Sequence, residues 1–205
     1  CGQKKGAYYN SQPINGTVFD SVKLLNSRQH LVLSNEYTMK TKTRIEDFFI
    51  RDADETDCDL ILSFIKELAE YEKLLHEVEA TEETLRRSLF SNQPYARVII
   101  GEFQGQPVGY ALFFNNFSTF TGRPGIYLED LYVIPRMRGK GFGKMLLAYL
   151  AKLAHEENFT RVEWSVLDWN KPSIQFYRSI GANPMDGWTV QRLHGRALEN
   201  FAKEF

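Results

Sequence analysis

The apolar positions of this chain change rhythm several times, and each change marks an element. Residues 1 to 46 sustain no period: Gly2, Gly6, Asn10, Pro13 and Asn15-Gly16 interrupt short apolar pieces such as Leu31-Val32-Leu33. They read as a partly disordered or non-native N-terminal extension, ahead of a domain spanning 47 to 205. Phe48-Phe49-Ile50 is a short strand. Asp54 to Asp57 supply capping chemistry for a helix that runs to about Leu75. On it Leu60, Ile61, Phe64, Ile65, Leu68 and Ala69 recur at helical spacing as a buried face. A second helix, Glu82 to Phe90, begins at Thr81 with acids in its first turn, where the helix dipole favours them.

The period then shortens. Ala96 to Phe103 and Val108 to Phe114 are β-rich runs joined by the turn Gln104-Gly105-Gln106-Pro107, residues 115 to 125 read as a loop, and Ile126 to Ile134 is another strand. A helix follows from about Gly141 to Glu157, with Met145, Leu146, Tyr149, Leu150 and Leu153 on one face. Thr160 to Leu167 is a strand, Pro172 to Ile180 a helix closed by Gly181, and Trp188 to Leu193 a last strand before a short terminal helix. The order β-α-α-β-β-β-α-β-α-β predicts an α/β (α+β) layered domain with a mixed sheet and no internal repeat.

At 205 residues the chain suits one domain and is tight for two. With 25 basic and 26 acidic residues the net charge is −1, so no global field points to nucleic acid or to a membrane surface. The two cysteines, Cys1 and Cys58, have neither zinc-ligand nor disulfide-scaffold spacing. His30, His76, His155 and His194 share no metal spacing, and the acids between Asp52 and Asp59 suit a helix start, so no metal is expected. No stretch approaches the ~18 uninterrupted apolar residues of a membrane span. These features predict a cytoplasmic protein. Cys1 stands where an initiator methionine is expected, which marks a processed chain, a fragment or an imperfect gene model; Met39 is a more natural start.

The densest chemistry lies around Arg138-Gly139-Lys140-Gly141-Phe142-Gly143, followed by Lys144, at the opening of a helix. Glycines at this spacing turn backbone N–H groups toward one point at a helix N-terminus, which is an anion cradle. A structural turn is an equally good account of the glycines alone. The pattern is neither a GxGxxG fingerprint after a first strand nor a GK[ST] phosphate loop.

The loop does match [Q/R]-x-x-G-x-[G/A], with Arg138, Gly141 and Gly143, and so resembles the cofactor loop of GNAT acetyltransferases. Further blocks are similar to the spermidine/spermine and thialysine acetyltransferase branch. They are Ile65 to Glu72, Tyr127-Leu-Glu-Asp130, Leu167-Asp-Trp-Asn170, Pro172 to Tyr177, Gly181-Ala182 and Gly187-Trp188, together covering roughly residues 48 to 200.

The resemblance implies a central mixed, mostly antiparallel sheet with helices on both faces and a V-shaped opening between the fourth and fifth strands. It implies acetyl-CoA as co-substrate and a small cationic amine as acceptor. Leu131, Tyr132 and Val133 would supply backbone contacts to the cofactor, residues 138 to 144 the pyrophosphate cradle, and Asn170, Lys171, Pro172 and Ser173 the far wall. An alkyl ammonium must lose a proton before it attacks, and Glu129 is the expected acceptor; Tyr177 would protonate the leaving thiolate. Asp130 should point to the opposite strand face unless a bulge intervenes. Tyr71, Glu72, Glu129, Glu163, Trp164, Ser165 and Asp186 are the expected amine-binding residues. Asp186 stands where the spermidine/spermine enzymes carry a glutamate, and the loop at 115 to 125 offers Phe120 where relatives have a tryptophan. The resemblance also implies a homodimer. A protein or peptide acceptor, and a catalytically silent CoA-binding module, remain alternatives from the sequence.

Overall fold

The computed structural model describes residues 39 to 205. The extension expected over 1 to 46 lies mostly outside them, but the sheet already begins within it. Strand β1 (Thr41–Lys42) pairs antiparallel with β2 (Phe48–Asp52). Then come helices α1 (Cys58–Glu72) and α2 (Glu82–Leu89), strands β3 (Arg97–Phe103), β4 (Gln106–Ser118) and β5 (Arg123–Val133), and helix α3 (Phe142–Glu156). Strand β6 (Val162–Trp164), α4 (Lys171–Ser179) and α5 (Gly195–Phe201) complete the order. The six strands lie side by side in sequence order, all antiparallel except β5 and β6, which run parallel.

Consecutive strand residues Val98, Ile99 and Ile100 are all buried, so the sheet is covered on both faces. On one face Phe64 of α1 stacks on Tyr110 at 5.4 Å and reaches Tyr132. On the other, Phe142 at the start of α3 stacks on Phe48 at 4.4 Å. The helical face expected for α1 is the one that packs: Ile61, Phe64 and Ala69 are buried, with Leu60, Ile65 and Leu68 alongside. The α1 start carries a short 3-10 turn, Glu55–Asp57, closed by a reciprocal cap between Asp54 and Asp57. Helix α1 ends at Glu72, three residues short of the expected Leu75, because Lys73 takes a left-handed φ of 65°, and Leu75–Glu77 forms a separate turn.

Two expectations change. Strands β4 and β5 pair as far as Ser118 opposite Arg123, so most of 115 to 125 is hairpin and only the tip is loop. Trp188 to Leu193 forms no strand. Alternating apolar residues make a strand only where an edge accepts its hydrogen bonds; here β6 is three residues long, and Trp188 and Val190 stay 72% and 82% exposed. No helix among the described residues is long and apolar enough to cross a membrane.

Candidate active site

The parallel pair β5 and β6 holds together only over Ile126, Tyr127 and Leu128 opposite Val162, Glu163 and Trp164. Beyond that point β5 continues to Val133 while β6 has ended, and the sheet opens. A cavity of about 830 Å3 fills the opening, a volume suited to a small-molecule ligand. Its walls come from α1 (Leu68, Tyr71, Glu72), the second half of β5 from Leu128 to Val133, Arg138 and Gly139, the chain after β6, and α4.

At the mouth, Gly139 and Gly141 take φ of +76° and +87°, a left-handed backbone that glycine adopts freely. This turns the backbone into the start of α3, a fifteen-residue helix that no side chain caps and whose first turn has no acid. Those unanswered N–H groups and the dipole behind them suit phosphate oxygens. The loop residues are not equivalent. Phe142 is core, buried between Phe48 and Phe103. Lys140 lies over the Phe103 ring, while Gly143 and Lys144 belong to the first turn of α3. Arg138 folds back: its Nε donates to the Val133 carbonyl at 2.8 Å, and its guanidinium lies over the rings of Tyr71 and Tyr132. Tyr132 turns its ring toward α1 and donates to Glu67 at 2.9 Å; burial and that carboxylate push its pKa up to about 12.

A bulge in β5 organises the acids. Leu128 sits opposite Phe113 and Asp130 opposite Leu112, so Glu129 has no cross-strand partner. Strict alternation would send Glu129 and Asp130 to opposite faces; with the extra residue, both line the cavity. The bulge is the condition under which Asp130 is expected to leave the opposite face, and Asp130 lines the cavity. Its carboxylate accepts from the buried Tyr110 hydroxyl at 2.7 Å, and burial raises its pKa despite that bond. Glu72 and Glu129 are raised as well, first by partial burial and then by the charge of Asp130, while Arg192 pulls Glu129 back. Tyr177 meets the edge of Trp164 at 5.0 Å, and burial together with Glu72 and Tyr71 raises its pKa, so it keeps its proton.

Across the opening, the Tyr71 hydroxyl donates to Asn170 Oδ1 at 3.3 Å, and Asn170 also accepts from the Ser173 N–H at the start of α4. Pro172 and Ser173 line the cavity; Lys171 is exposed at the first position of the helix. Ser165 lines it too and exchanges a 2.8 Å hydrogen bond with Tyr127. Two of the expected amine-binding residues are not brought in. Glu163 is held by Arg161 at 2.7 Å and by Asn116 at 2.6 Å, away from the cavity wall. Asp186 is exposed on the C-terminal segment. The residues that sequence reasoning missed are Asp130, whose signal was the unreadable bulge, and Arg192, which reaches the cavity from a segment predicted to be sheet.

A sheet splayed over a ligand cavity, with a glycine cradle at a helix start and acids on the splayed strand, is the arrangement of an acyl-transfer enzyme. The acetyltransferase (GNAT) family profile matches residues 62–182, and the chain belongs to that family as an N-acetyltransferase. Within it the chain falls in the thialysine and diamine acetyltransferase branch. It is 39% identical to the thialysine N-epsilon-acetyltransferase of Mus musculus over 75% of this chain and 96% of that protein. It is 31% identical to the L-ornithine N5-acetyltransferase of Arabidopsis thaliana, over 75% and 87%. Among solved structures, an integron cassette protein from V. cholerae superposes with a TM-score of 0.65 at 28% identity, covering 77% of this chain and 98% of that one.

Proposed function

We propose that the enzyme transfers the acetyl group of acetyl-CoA directly to a primary amine of a small cationic substrate. The observation that carries this reading is the convergence of Glu129, Glu72, Asp130 and Tyr177 on one cavity at the splayed edge of β5. Carboxylates there attract an ammonium and stabilise it. Glu129, with its pKa lifted by partial burial and by Asp130, is a better base than an ordinary carboxylate and takes the ammonium proton directly or through one water. The free amine attacks the thioester carbon, its nitrogen gives its second proton to solvent, and the tetrahedral intermediate collapses with cleavage of the C–S bond. Tyr177, held protonated by its surroundings, gives its proton to the departing sulfur. The cradle at Gly139 to Gly143 takes the pyrophosphate, and the edge of β5 from Leu131 to Val133, which β6 does not reach, takes the pantetheine arm.

The reading places the enzyme in the cytoplasm, where acetyl-CoA is available, and as a homodimer. The dimer is supported by Met185, Trp188, Val190, Leu198 and Phe201, apolar side chains left exposed along the last segment. Released thiol, measured with acetyl-CoA against spermidine, spermine, short diamines, thialysine and lysine, tests the reaction and the acceptor together. Tight CoA binding without thiol release for any amine would leave a binding module instead.

A further inference from the structure

The bulge at Glu129 leaves two adjacent carboxylates in one cavity, and their own chemistry assigns them no separate tasks. Neighbouring carboxylates titrate as a coupled pair, and distinct roles emerge only where the surroundings push them apart. Here the surroundings differ by one hydrogen bond. Asp130 Oδ2 accepts from the Tyr110 hydroxyl at 2.7 Å, while neither Glu129 nor Glu72 accepts one from a side chain among the described residues.

Tyr110 is fully buried on β4, with its ring stacked on Phe64 of α1, and it pairs with Tyr132 of β5. The bulge sets Asp130 opposite Leu112, two residues along β4 from Tyr110, so both side chains stand on the face that α1 covers. A phenol has one proton to donate, and this one is carried from the core to the floor of the cavity. Phenylalanine would pack on Phe64 equally well; what the hydroxyl adds is the bond to Asp130.

A donor to a carboxylate favours its ionised form and fixes its direction. Burial and Asp130 raise Tyr110 well above the ordinary phenol, so it keeps its proton and donates throughout. Its bond opposes the burial that would neutralise Asp130, and the charge held there lifts Glu72 and Glu129. The other ionisable groups around the cavity are Tyr71 from α1, Tyr132 on β5, Arg138 after it, Tyr177 from α4 and Arg192 from the last segment. None of these bonds to Asp130; Tyr71 donates to Asn170, Tyr132 to Glu67 and Arg138 to the Val133 carbonyl.

We infer that Tyr110 is a positioning residue for acetyl transfer: its hydroxyl holds Asp130 as a fixed anion on the cavity floor, which leaves the travelling proton to Glu129. This rests on the amine acetyl transfer proposed above and adds a division of labour that neither carboxylate has by itself.

Tyr110→Phe keeps the ring on Phe64 and removes the donor. Losing a donor favours the neutral carboxyl, so the first proton taken up by the pair should enter at higher pH. The midpoint of the acid limb of kcat/KM, followed by thiol release with the fastest amine of the panel above, should rise by about one pH unit, the worth of a hydrogen bond to a charged group. A limb's position does not depend on how much of the protein folds. In an Asp130→Asn background, whose limb lies lower, adding Tyr110→Phe should move it no further. In the unmodified enzyme, carboxyl-carbon NMR should find Asp130 taking its proton at lower pH than Glu129, a reading that needs no variant to fold. A limb unmoved by Tyr110→Phe, a shift that persists in full without the charge of Asp130, or protonation of Asp130 before Glu129 would each overturn the inference and leave acetyl transfer standing. No thiol release from any amine would overturn both.

Discussion

Toward one edge of the sheet, on β2 and β3, charged groups go inward in matched pairs; toward the other, on β5, they gather with their own sign. Arg51 on β2 grips Asp57 through both terminal nitrogens, at 2.6 and 2.8 Å, and gives its Nε to Glu102 of β3 at 2.7 Å. Lys40 closes on the other oxygen of Glu102. Burial alone would raise the Glu102 pKa, but the bonds from Lys40 and Arg51 outweigh it and hold it below the ordinary carboxylate range. At β5, burial raises the pKa values of Glu72, Glu129 and Asp130, the charge of Asp130 lifts the two glutamates further, and Arg192 is a partial counterweight at Glu129. The first arrangement is complete within the chain and serves the fold. The second is incomplete, and what completes it is a cation brought by the substrate. Unanswered like charge is a mark of a site, where structural ion pairs are answered in place.

The comparison breaks first at the chemistry. Tyr177→Phe should reduce turnover by roughly 10²- to 10⁴-fold while CoA affinity, followed by calorimetric titration, changes little. Full turnover in that variant would remove Tyr177 from the proton path. Next, Arg51→Met should destabilise the fold by about 3 to 5 kcal/mol in denaturant unfolding, because the buried carboxylates of Asp57 and Glu102 would lose their shared partner. The fraction that stays folded should acetylate at the normal rate.

Smaller effects separate the two regions by pH. The acid limb of kcat/KM should lie above the ~4.3 of a free glutamate, since burial and Asp130 both lift Glu129, and Asp130→Asn should move that limb to lower pH. Stability should respond with opposite signs. Glu72, Glu129 and Asp130 bind protons more tightly folded than unfolded, so their contribution rises as pH falls from neutral through their raised pKa values. Glu102 is depressed in the fold, so its contribution is full above the unfolded carboxylate range and disappears as pH falls through the folded value. A melting-temperature profile should therefore climb on mild acidification and drop only at lower pH. Glu72→Gln should flatten the climb and add less than about 1 kcal/mol at neutral pH, since the side chain is only partly buried. The smallest change should come from Lys40→Met, about 0.5 kcal/mol, because Lys40 is 46% exposed and solvent screens its half of the pair.

The helices and the central strands were legible because their signals are local. The 3.6-residue period on α1 and α3, the caps at Asp54 and Thr81, and the two-residue alternation on β3 to β5 depend on residues a few positions apart. The glycines of the cradle were legible for the same reason, and so were Glu129 and Tyr177 as chemical groups. The order of the blocks along the chain already fixed the family. What the tertiary structure decided is how side chains from distant segments meet. A single unpaired residue at Glu129, set by the register of β4 against β5, turned Asp130 into the cavity, and no local pattern announces a register. Glu163 was lost to the site because Arg161 and Asn116 reach it first, and Arg192 entered it from a segment whose alternation suggested a strand. Sequence by itself specified which groups are present and which elements carry them, since those follow from short-range geometry. Which charges are answered and which are left open for a substrate depends on contacts across the whole fold, and only the folded chain decides it.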